Sequence, residues 1–383
     1  MGHLNFQIAL RIALTVRTAT TIAGAAFTNK TADFPAPKLA ASKGAQMADG
    51  EAGRIGLIAM ADLATPMAVR VAATLRVADH IVAGRRTATA LAEVTGVQAD
   101  ALGRVLRHLV TVGLLTRDAG GSFGLTEAGE QLREDHPAGK RKWLDIDGGV
   151  GRGDLSFVDL AHTVRTGDPA YPLRYGLPFW DNLAVDPALS ASFDRLMGHH
   201  IERDNAGIAG AYDWARLGHV VDVGGGSAAL LSVLLAAHPG LRGTVVDLPG
   251  PAANARRTFR DKGLTDRGDV VAGSFFDPLP AGADAYVLSA IIHDWDDEPS
   301  VAILERCAEA AGETGVVLVI EAIGADGESV NTAMDLRMLV YTGGRERGLT
   351  ELRALAAQAG LTVRAVHPVG GGSPTSIIEL VLA

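Results

Sequence analysis

The stretch HVVDVGGGSAALL, which runs from His219 to Leu231, decides the fold. It reads as a short apolar strand, a glycine turn and the start of a helix. Glycine reaches positive φ without strain and lets a ligand come close to the main chain, so this kind of turn suits a bound nucleoside. The stretch therefore predicts the first strand–turn–helix unit of a doubly wound α/β domain.

The next strand ends on an acid. Residues 243–247 read GTVVD, and Asp247 lies about 20 residues beyond the glycines, the spacing at which a carboxylate binds the hydroxyls of a ribose. A third strand ends in Ala272-Gly-Ser-Phe-Phe-Asp-Pro. Polar and aromatic groups at successive strand ends predict a nucleoside site.

Two nucleoside ligands have to be weighed. Gly224, Gly226 and Ala229 satisfy the dinucleotide pattern G-x-G-x-x-G/A, which is typical of NAD binding. Against NAD, Asp222 precedes the first glycine by two residues, the glycine turn falls in mid-chain, and the third strand ends in a polar and aromatic pair. We therefore favour an adenosyl ligand held at successive strand ends.

A fourth apolar run, Ala285–Ile292, passes directly into the acidic segment His293–Glu298, which reads HDWDDE. A doubly wound sheet opens its ligand crevice after the carboxyl ends of such strands. An imidazole with a pKa of about 6.5 accepts a proton near neutrality, and nearby carboxylates fix its tautomer and orientation. His293 is therefore a candidate base; the alternative is a surface histidine at the start of an acidic helix.

Bulk composition bounds the function. The 383 residues are enough for two domains, and 48% hydrophobic with 21% charged residues is typical of a globular protein. The net charge of -9 and the pI near 5.7 argue against a nucleic-acid partner, since phosphate binding needs an excess of Lys and Arg. Cys307, the single cysteine, excludes an internal disulfide and a cysteine-based zinc site, and it fits a reducing cytoplasm.

The first 46 residues differ from the rest. Leu4–Ala26 is apolar and rich in threonine, but Arg11 and Arg17 interrupt it. A membrane helix needs about 20 consecutive apolar residues, and these arginines lie inside the segment that would form a signal core. We expect residues 1–46 to be a poorly ordered extension and the protein to have no membrane partner.

Residues 47–140 carry a winged-helix pattern. Apolar residues recur at helical spacing over residues 59–82, two further helical segments follow, and a Gly-Gly turn joins two short strands. One function of this fold is DNA binding, with Arg104, Arg107 and His108 on a recognition helix. We favour dimerisation, because the chain is acidic overall and fold alone does not settle function.

Two further segments complete the predicted domain organisation. Residues 141–205 are expected to form a helical linker that contributes to a substrate pocket, and residues 206–383 a Rossmann-like catalytic domain.

The motifs of the second half resemble those of the S-adenosylmethionine-dependent O-methyltransferases with the plant caffeate-type architecture, and among them the bacterial enzymes that tailor aromatic polyketides. The resemblance runs from about Ala59 to Leu382, and the motifs that carry it are Asp222-Val-Gly-Gly-Gly, Asp247-Leu-Pro, Gly273-Ser-Phe-Phe-Asp-Pro-Leu-Pro, His293-Asp-Trp-Asp-Asp-Glu, and Met334-Asp-Leu-Arg-Met-Leu-Val with Gly343-Gly-Arg-Glu-Arg. It implies an α/β fold in which a Rossmann-like class I methyltransferase domain follows a helical winged-helix dimerisation domain. It also implies a homodimer, S-adenosylmethionine as co-substrate, a small aromatic acceptor and no metal.

The resemblance also assigns roles to individual residues. It makes His293 the general base and places Glu321 and Glu351 beside it. The implied cofactor-binding residues are Asp222, Gly224, Gly226, Asp247, Leu248, Ser274, Phe275 and Ser289. The implied substrate-binding residues are Met197, His200, Asp294 and Met338. The alternatives for these acids and methionines are a solvated strand end, a helix first turn stabilised by the dipole, and ordinary core packing.

Two positions depart from the family pattern. Ala228 stands where most members have another glycine, which narrows the turn and is expected to weaken cofactor binding. Ser274 replaces an acid often found before the adenine contact, so one hydrogen bond changes character.

The resemblance thus implies methylation of a phenolic hydroxyl of a hydroxynaphthoic acid in antibiotic biosynthesis, with His293 as the base. One alternative is methylation of another aromatic polyketide such as an anthracyclinone. A second is a relative that kept the cofactor but became a hydroxylase or decarboxylase, which the retention of His293 beside Asp294 disfavours. A third, of a different class, is a ligand-responsive winged-helix transcription regulator.

Overall fold

The computed structural model describes residues 56–383 except residues 325–328, and for residues 199–204 it describes the backbone only. Residues 58–383 form one compact unit, which contains the site. The predicted extension, residues 1–46, lies outside the described residues.

The helices are α1 (Leu57–Ala61), α2 (Ala64–Thr74), α3 (Val77–Val82), α4 (Ala88–Thr95), α5 (Ala99–Thr111), α6 (Glu127–Glu130), α7 (Lys140–Leu144), α8 (Gly149–Asp154), α9 (Leu160–Thr166), α10 (Ala170–Tyr175), α11 (Phe179–Val185), α12 (Pro187–Ala211), α13 (Ala229–Ala237), α14 (Pro249–Asp261), α15 (Asp297–Ala311), α16 (Thr332–Tyr341) and α17 (Leu349–Gln358). The strands are β1 (Leu115–Arg117), β2 (Phe123–Leu125), β3 (His219–Val223), β4 (Arg242–Asp247), β5 (Gly268–Ala272), β6 (Ala285–Ser289), β7 (Val316–Ala322), β8 (Leu361–Pro368) and β9 (Thr375–Leu382).

The winged-helix pattern is present in the structure. Helices α4 and α5 form the helix–turn–helix, and β1 pairs antiparallel with β2 to form the wing. Thr87 caps α4, its hydroxyl accepting a hydrogen bond from the amide of Ala90 at 3.2 Å. The helical stretch predicted over residues 59–82 is divided, because Arg76 takes a left-handed φ of 52° between α2 and α3.

The catalytic part is built on a mostly parallel sheet, which has seven strands among the described residues, in the order β5-β4-β3-β6-β7-β9-β8. Strands β3 to β7 run parallel, and β9 is antiparallel to both of its neighbours. Strand β3 lies between β4 and β6, so the order reverses there and the crevice opens at the carboxyl ends of these strands.

Apolar clusters cover both faces of the sheet. One cluster packs α15 and α17 against one face, and the other packs α13, α14 and the end of α12 against the opposite face. Helix α12 continues without a break through the predicted domain boundary between residues 205 and 206. The strands of a parallel sheet are buried on both faces, which is why β3, β6 and β7 read as nearly continuous apolar runs. Among the described residues no helix is long and apolar enough to span a membrane.

Candidate active site

The glycine turn after β3 is a cradle that side chains would fill. Gly224 has a φ of +73°, its amide donates to the carbonyl of Val246 at 2.8 Å, and a Cβ there would lie 2.5 Å from Cδ1 of Ile291. A Cβ on Gly225 would lie 2.6 Å from the Asp222 carboxylate. The turn therefore requires glycine at both positions for space, and at Gly224 for conformation as well.

Asp247 closes the turn at the end of β4. Its carboxylate accepts hydrogen bonds from the amides of Gly226 at 2.8 Å and Leu248 at 2.7 Å. Burial raises the pKa of Asp247 to about 6, against these two hydrogen bonds. Burial together with Asp247 raises the pKa of Asp222 to about 7, and no described residue donates a hydrogen bond to the Asp222 carboxylate. Two buried carboxylates beside a glycine cradle suit a ligand that brings hydroxyl donors and positive charge.

An aromatic wall adjoins the cradle. The Phe275 ring lies 5.1 Å from Phe276 and 5.9 Å from Trp295, centroid to centroid, and its edge would be 3.5 Å from a Cβ on Gly224. The Ser274 hydroxyl accepts a hydrogen bond from the amide of Phe276 at 3.2 Å, which fixes the turn after β5. The ring beside the glycines has the position of a surface on which a nucleobase stacks.

Ala228 also lies in the turn, as the residue before α13. It is fully buried and has a φ of +64°, the left-handed region in which a methyl side chain is strained. This departure from the family pattern therefore falls at a position whose backbone favours glycine.

His293 lies in a short 3-10 helix, Ile292–Asp294, which comes after β6. Ala290 turns the chain out of the strand with a left-handed φ of 53°, and its amide donates to the carbonyl of Ile320 at 3.0 Å. The imidazole is mostly buried, with Nδ1 3.1 Å from Oε1 of Glu346 and 3.5 Å from Oε2 of Glu321. Nε2 lies 3.5 Å from Oδ1 of Asp294. Three carboxylates therefore surround one imidazole.

The position predicted for Glu351 is wrong. Glu351 lies in the first turn of α17, where its carboxylate accepts from the amide of Gly348 at 2.9 Å and pairs with Arg345 at 3.2 Å. Glu346, five residues earlier in the loop before that helix, contacts His293 instead. An acid at the third position of a helix commonly caps it, which explains the role of Glu351.

The loop that carries Glu346 packs tightly on the histidine turn. A Cβ on Gly344 would lie 2.2 Å from the carbonyl oxygen of His293, so only glycine allows this approach. The amide of Glu346 donates to Asp335 on α16 at 2.9 Å. Arg347 is buried and donates to the carbonyl oxygens of Ile292 at 3.0 Å and Trp295 at 2.8 Å.

The three acids make the imidazole strongly basic. Burial alone would lower the pKa of His293, but Glu321, Asp294 and Glu346 together raise it to about 10. Burial raises the pKa of Asp294 to about 7 and also raises the pKa of Glu321. This cluster holds a proton at neutral pH when no ligand is present.

The remaining predicted residues have these positions. Ser289 is half-buried at the end of β6, and Leu248 is exposed before α14. Met338 is buried in α16, and Met197 is half-buried in α12, one residue before Gly198, where a Cβ would lie 3.5 Å from Oγ of Ser227. The side chain of His200 lies outside the described residues. The substrate contacts of these residues stay predictions.

Two protein families match the chain, one in each of its parts. A family model for an O-methyltransferase domain matches residues 157–362, and a model for an O-methyltransferase dimerisation domain matches residues 59–135. The chain belongs to the O-methyltransferase family. The second match confirms dimerisation as the predicted role of the winged helix.

Individual relatives span nearly the whole described chain. A 2,7-dihydroxy-5-methyl-1-naphthoate 7-O-methyltransferase of Streptomyces carzinostaticus is 68% identical over 329 residues, 86% of this chain and 98% of the relative. The aclacinomycin 10-hydroxylase RdmB of Streptomyces purpurascens is 44% identical over 317 residues, 81% of this chain and 85% of the relative. The crystal structure of NcsB1, an O-methyltransferase from neocarzinostatin biosynthesis in complex with S-adenosylmethionine and 2-hydroxy-5-methyl naphthoic acid, matches with a TM-score of 0.83 at 66% identity, over 87% of this chain and 100% of that chain.

These matches confirm several predictions. The protein is an O-methyltransferase with a class I methyltransferase fold behind a dimerisation domain, and S-adenosylmethionine is its methyl donor. The cradle of Gly224 and Gly225, with Asp247 at the next strand end, fits this donor, because a side chain at either glycine would fill the space. NAD, the other nucleoside weighed, is not the ligand of this family.

Proposed function

We propose that this protein methylates a phenolic hydroxyl of a hydroxynaphthoic acid in the biosynthesis of an antibiotic, with His293 as general base. The observation that carries the proposal is the ring of carboxylates around His293 at the carboxyl edge of the sheet, next to the glycine cradle. The naphthoate relative, identical at 68% of the aligned positions, supports the substrate class. We also propose a cytoplasmic location, where the single cysteine stays reduced.

The basicity of His293 matches its task. A phenolic hydroxyl has a pKa of about 10. The pKa of His293 is raised to about 10 by its acids despite burial. Transfer of the hydroxyl proton to the neutral imidazole is then nearly balanced in free energy, and the carboxylates stabilise the imidazolium that forms.

Bond changes at the reacting centre balance without a further reactant. When bound, S-adenosylmethionine supplies an electrophilic methyl group on a sulfonium that leaves as a neutral thioether. Nδ1 faces Glu346, so Nε2 is the nitrogen that accepts the proton as the O–H bond breaks and the O–CH3 bond forms. Since the free enzyme holds a proton on His293 at neutral pH, one proton has to leave before reaction. Holding acceptor and donor in line supplies most of the remaining acceleration.

The test is methylation of a panel of acceptors. The protein is incubated with S-adenosylmethionine and hydroxynaphthoic acids or anthracyclinones, and the products are analysed for mass and position of the methyl group. We expect a gain of one methylene mass on the naphthoates. Methylation of anthracyclinones alone, or a gain of one oxygen as in a hydroxylase, contradicts the proposed substrate class.

The role of His293 is tested separately. The variant His293→Ala is expected to lose about 10² to 10⁴ in kcat while its affinity for S-adenosylhomocysteine is unchanged. His219→Gln is the matched control, because His219 is half-buried at the opposite end of β3, 2.9 Å from the Thr244 hydroxyl. Full activity of His293→Ala with both substrates saturating defeats the assignment of the base.

A further inference from the structure

A second buried charged cluster lies outside the catalytic centre. The carboxylate of Asp154, at the end of α8, is 2% exposed. It accepts hydrogen bonds from Arg70 on α2, from Nε of Arg337 on α16 at 2.8 Å, and from the hydroxyl of Tyr341. The same hydroxyl also lies 2.9 Å from the carbonyl of Val150. We call these four residues, Asp154, Arg70, Arg337 and Tyr341, the Asp154 clamp.

The Asp154 clamp is a costly arrangement. One carboxylate faces two guanidinium groups, and Nη1 of Arg70 is buried without a hydrogen-bond partner among the described residues. Buried ion clusters contribute little net stability compared with apolar packing, and in some proteins they fix one geometry instead. The elements that this cluster fixes are therefore informative.

The clamp holds the last two turns of α16. Arg337 and Tyr341 are one turn apart, and Tyr341 is the last residue of that helix. A Cβ on Gly153, beside Asp154, would lie 2.6 Å from the Tyr341 ring, so α8 and α16 are in direct contact there. The helix end is thus tied to α8 at two points, by charge and by close packing.

The loop after α16 reaches His293. Glu346 is five residues beyond Tyr341, and Gly344 is wedged against the His293 carbonyl in between. Asp335, also on α16, accepts the amide of Glu346 at 2.9 Å, and Glu346 contacts Nδ1 of His293 at 3.1 Å. A continuous set of contacts therefore joins the clamp to the imidazole.

We propose that Asp154 is a positioning residue for methyl transfer: by holding Arg337 and Tyr341 it fixes the end of α16, and through it the place of Glu346 beside His293. The inference rests on the proposed role of His293 as base. Asp154 touches neither the imidazole nor the glycine cradle, and it acts only through α16 and its loop.

The pKa of His293 is the quantity to measure, because it depends on the charged groups that face the imidazole. They are Asp294 on its own turn, Glu321 on β7, Glu346 on the loop, and Arg345 and Arg347, which line the same small cavity. If the clamp fixes Glu346, its loss weakens one raising influence and the pKa of His293 falls. Nuclear magnetic resonance of 13C-labelled histidine measures this pKa without any activity assay.

The test uses Asp154→Asn with a matched control. Glu379 on β9 is also a buried carboxylate held by two arginines and a tyrosine, namely Arg216, Arg364 and the Tyr212 hydroxyl at 2.7 Å. It has no contact with α16 or its loop among the described residues. We expect Asp154→Asn to lower the pKa of His293 by about one unit and kcat by about tenfold, with the Kd for S-adenosylhomocysteine within twofold. Glu379→Gln is expected to lower thermal stability but to leave the His293 pKa unchanged.

Two further variants test the same coupling between the Asp154 clamp and His293. Tyr341→Phe retains the charges of the clamp and is expected to shift the His293 pKa in the same direction by less. In the double variant Asp154→Asn with Glu346→Gln, the shift should equal that of Glu346→Gln alone, since both act through one carboxylate. An unchanged His293 pKa in Asp154→Asn and Tyr341→Phe, or an equal shift in Glu379→Gln, overturns it. Full activity of His293→Ala would overturn the proposed base but would leave this measured coupling intact.

Discussion

The pair Glu346→Gln and Glu351→Gln gives the sharpest test of the site. Oε1 of Glu346 lies 3.1 Å from Nδ1 of His293, whereas Glu351 caps α17 and pairs with Arg345. At an effective dielectric constant of about 20, two unit charges at this separation attract by about 5 kcal/mol, or about 4 units of pKa. This is an upper bound, because Glu321 and Asp294 remain and the glutamine still accepts a hydrogen bond. We expect a fall in the pKa of His293 of about 1 to 3 units, from about 10.

The pH dependence of activity should change with this shift. In the wild type, kcat/KM is expected to rise with pH as the free enzyme loses the proton on His293. In Glu346→Gln that rise begins at lower pH, and the plateau at high pH is lower because a less basic imidazole is a weaker proton acceptor. The two profiles should therefore cross.

Glu351→Gln is the matched control. It removes a charged carboxylate from the same segment, while the glutamine oxygen still accepts the Gly348 amide as in a capping box. Its pH profile and His293 pKa are expected to match those of the wild type. A shift with Glu351→Gln but none with Glu346→Gln refutes the placement of Glu346 against the imidazole.

Three further predictions concern the cradle and the loop. Gly344→Ala is expected to reduce kcat at least about 100-fold, because a Cβ there would lie 2.2 Å from the His293 carbonyl oxygen. Gly240→Ala is the control and should leave kcat unchanged, since a Cβ there meets no atom within 4 Å. Equal rates for the two variants would contradict this prediction. Asp222→Asn should raise the Tm of the ligand-free protein much more at pH 8 than at pH 4. The folded pKa of Asp222 is raised to about 7 from an ordinary value of about 4, so its contribution to stability is fully present below about pH 4, is lost progressively up to about pH 7 and stays lost above it; calorimetry showing the same change at both pH values is the opposing result. Ala228→Gly removes the strain of a left-handed alanine, which stabilises the fold by about 1–2 kcal/mol, and also removes one buried methyl group, which costs about 0.8 kcal/mol. Chemical denaturation should therefore show a small gain in the free energy of unfolding. A loss above about 1 kcal/mol speaks against strain at this turn.

The sheet could be predicted from sequence because its signals are local. A few consecutive residues are enough to indicate a strand end in three places: the glycine turn after Val223, the acid Asp247 and the apolar run before His293. The structure places these three at neighbouring strand ends. Parallel strands bring their carboxyl ends to one edge, so a correct strand assignment brings these side chains together.

The partners of the histidine could not be predicted in the same way. Glu346 stood within the Gly-Gly-Arg-Glu-Arg motif, but nothing local tells whether it or Glu351 turns toward His293. One local signal was available: Glu351 is the third residue of α17, where an acid usually binds the helix amides. Asp154 gave no sequence signal, since its partners Arg70 and Arg337 lie 84 and 183 residues away along the chain.

Glu321 and Glu346 have different tasks, although both contact Nδ1. Oε1 of Glu321 accepts from three successive amides, those of Ile291 at 3.2 Å, Ile292 at 3.0 Å and His293 at 3.4 Å. The left-handed Ala290 makes this possible, because it turns the chain so that consecutive amides point to one oxygen, as in a backbone nest. The strain at Ala290 persists since Glu321 and the Ile320 carbonyl hold the turn from both sides. Glu321 therefore has two tasks, since it holds the turn that presents the histidine and also raises the pKa of the imidazole, whereas the hydrogen bond that the structure shows for the Glu346 carboxylate is the one to Nδ1.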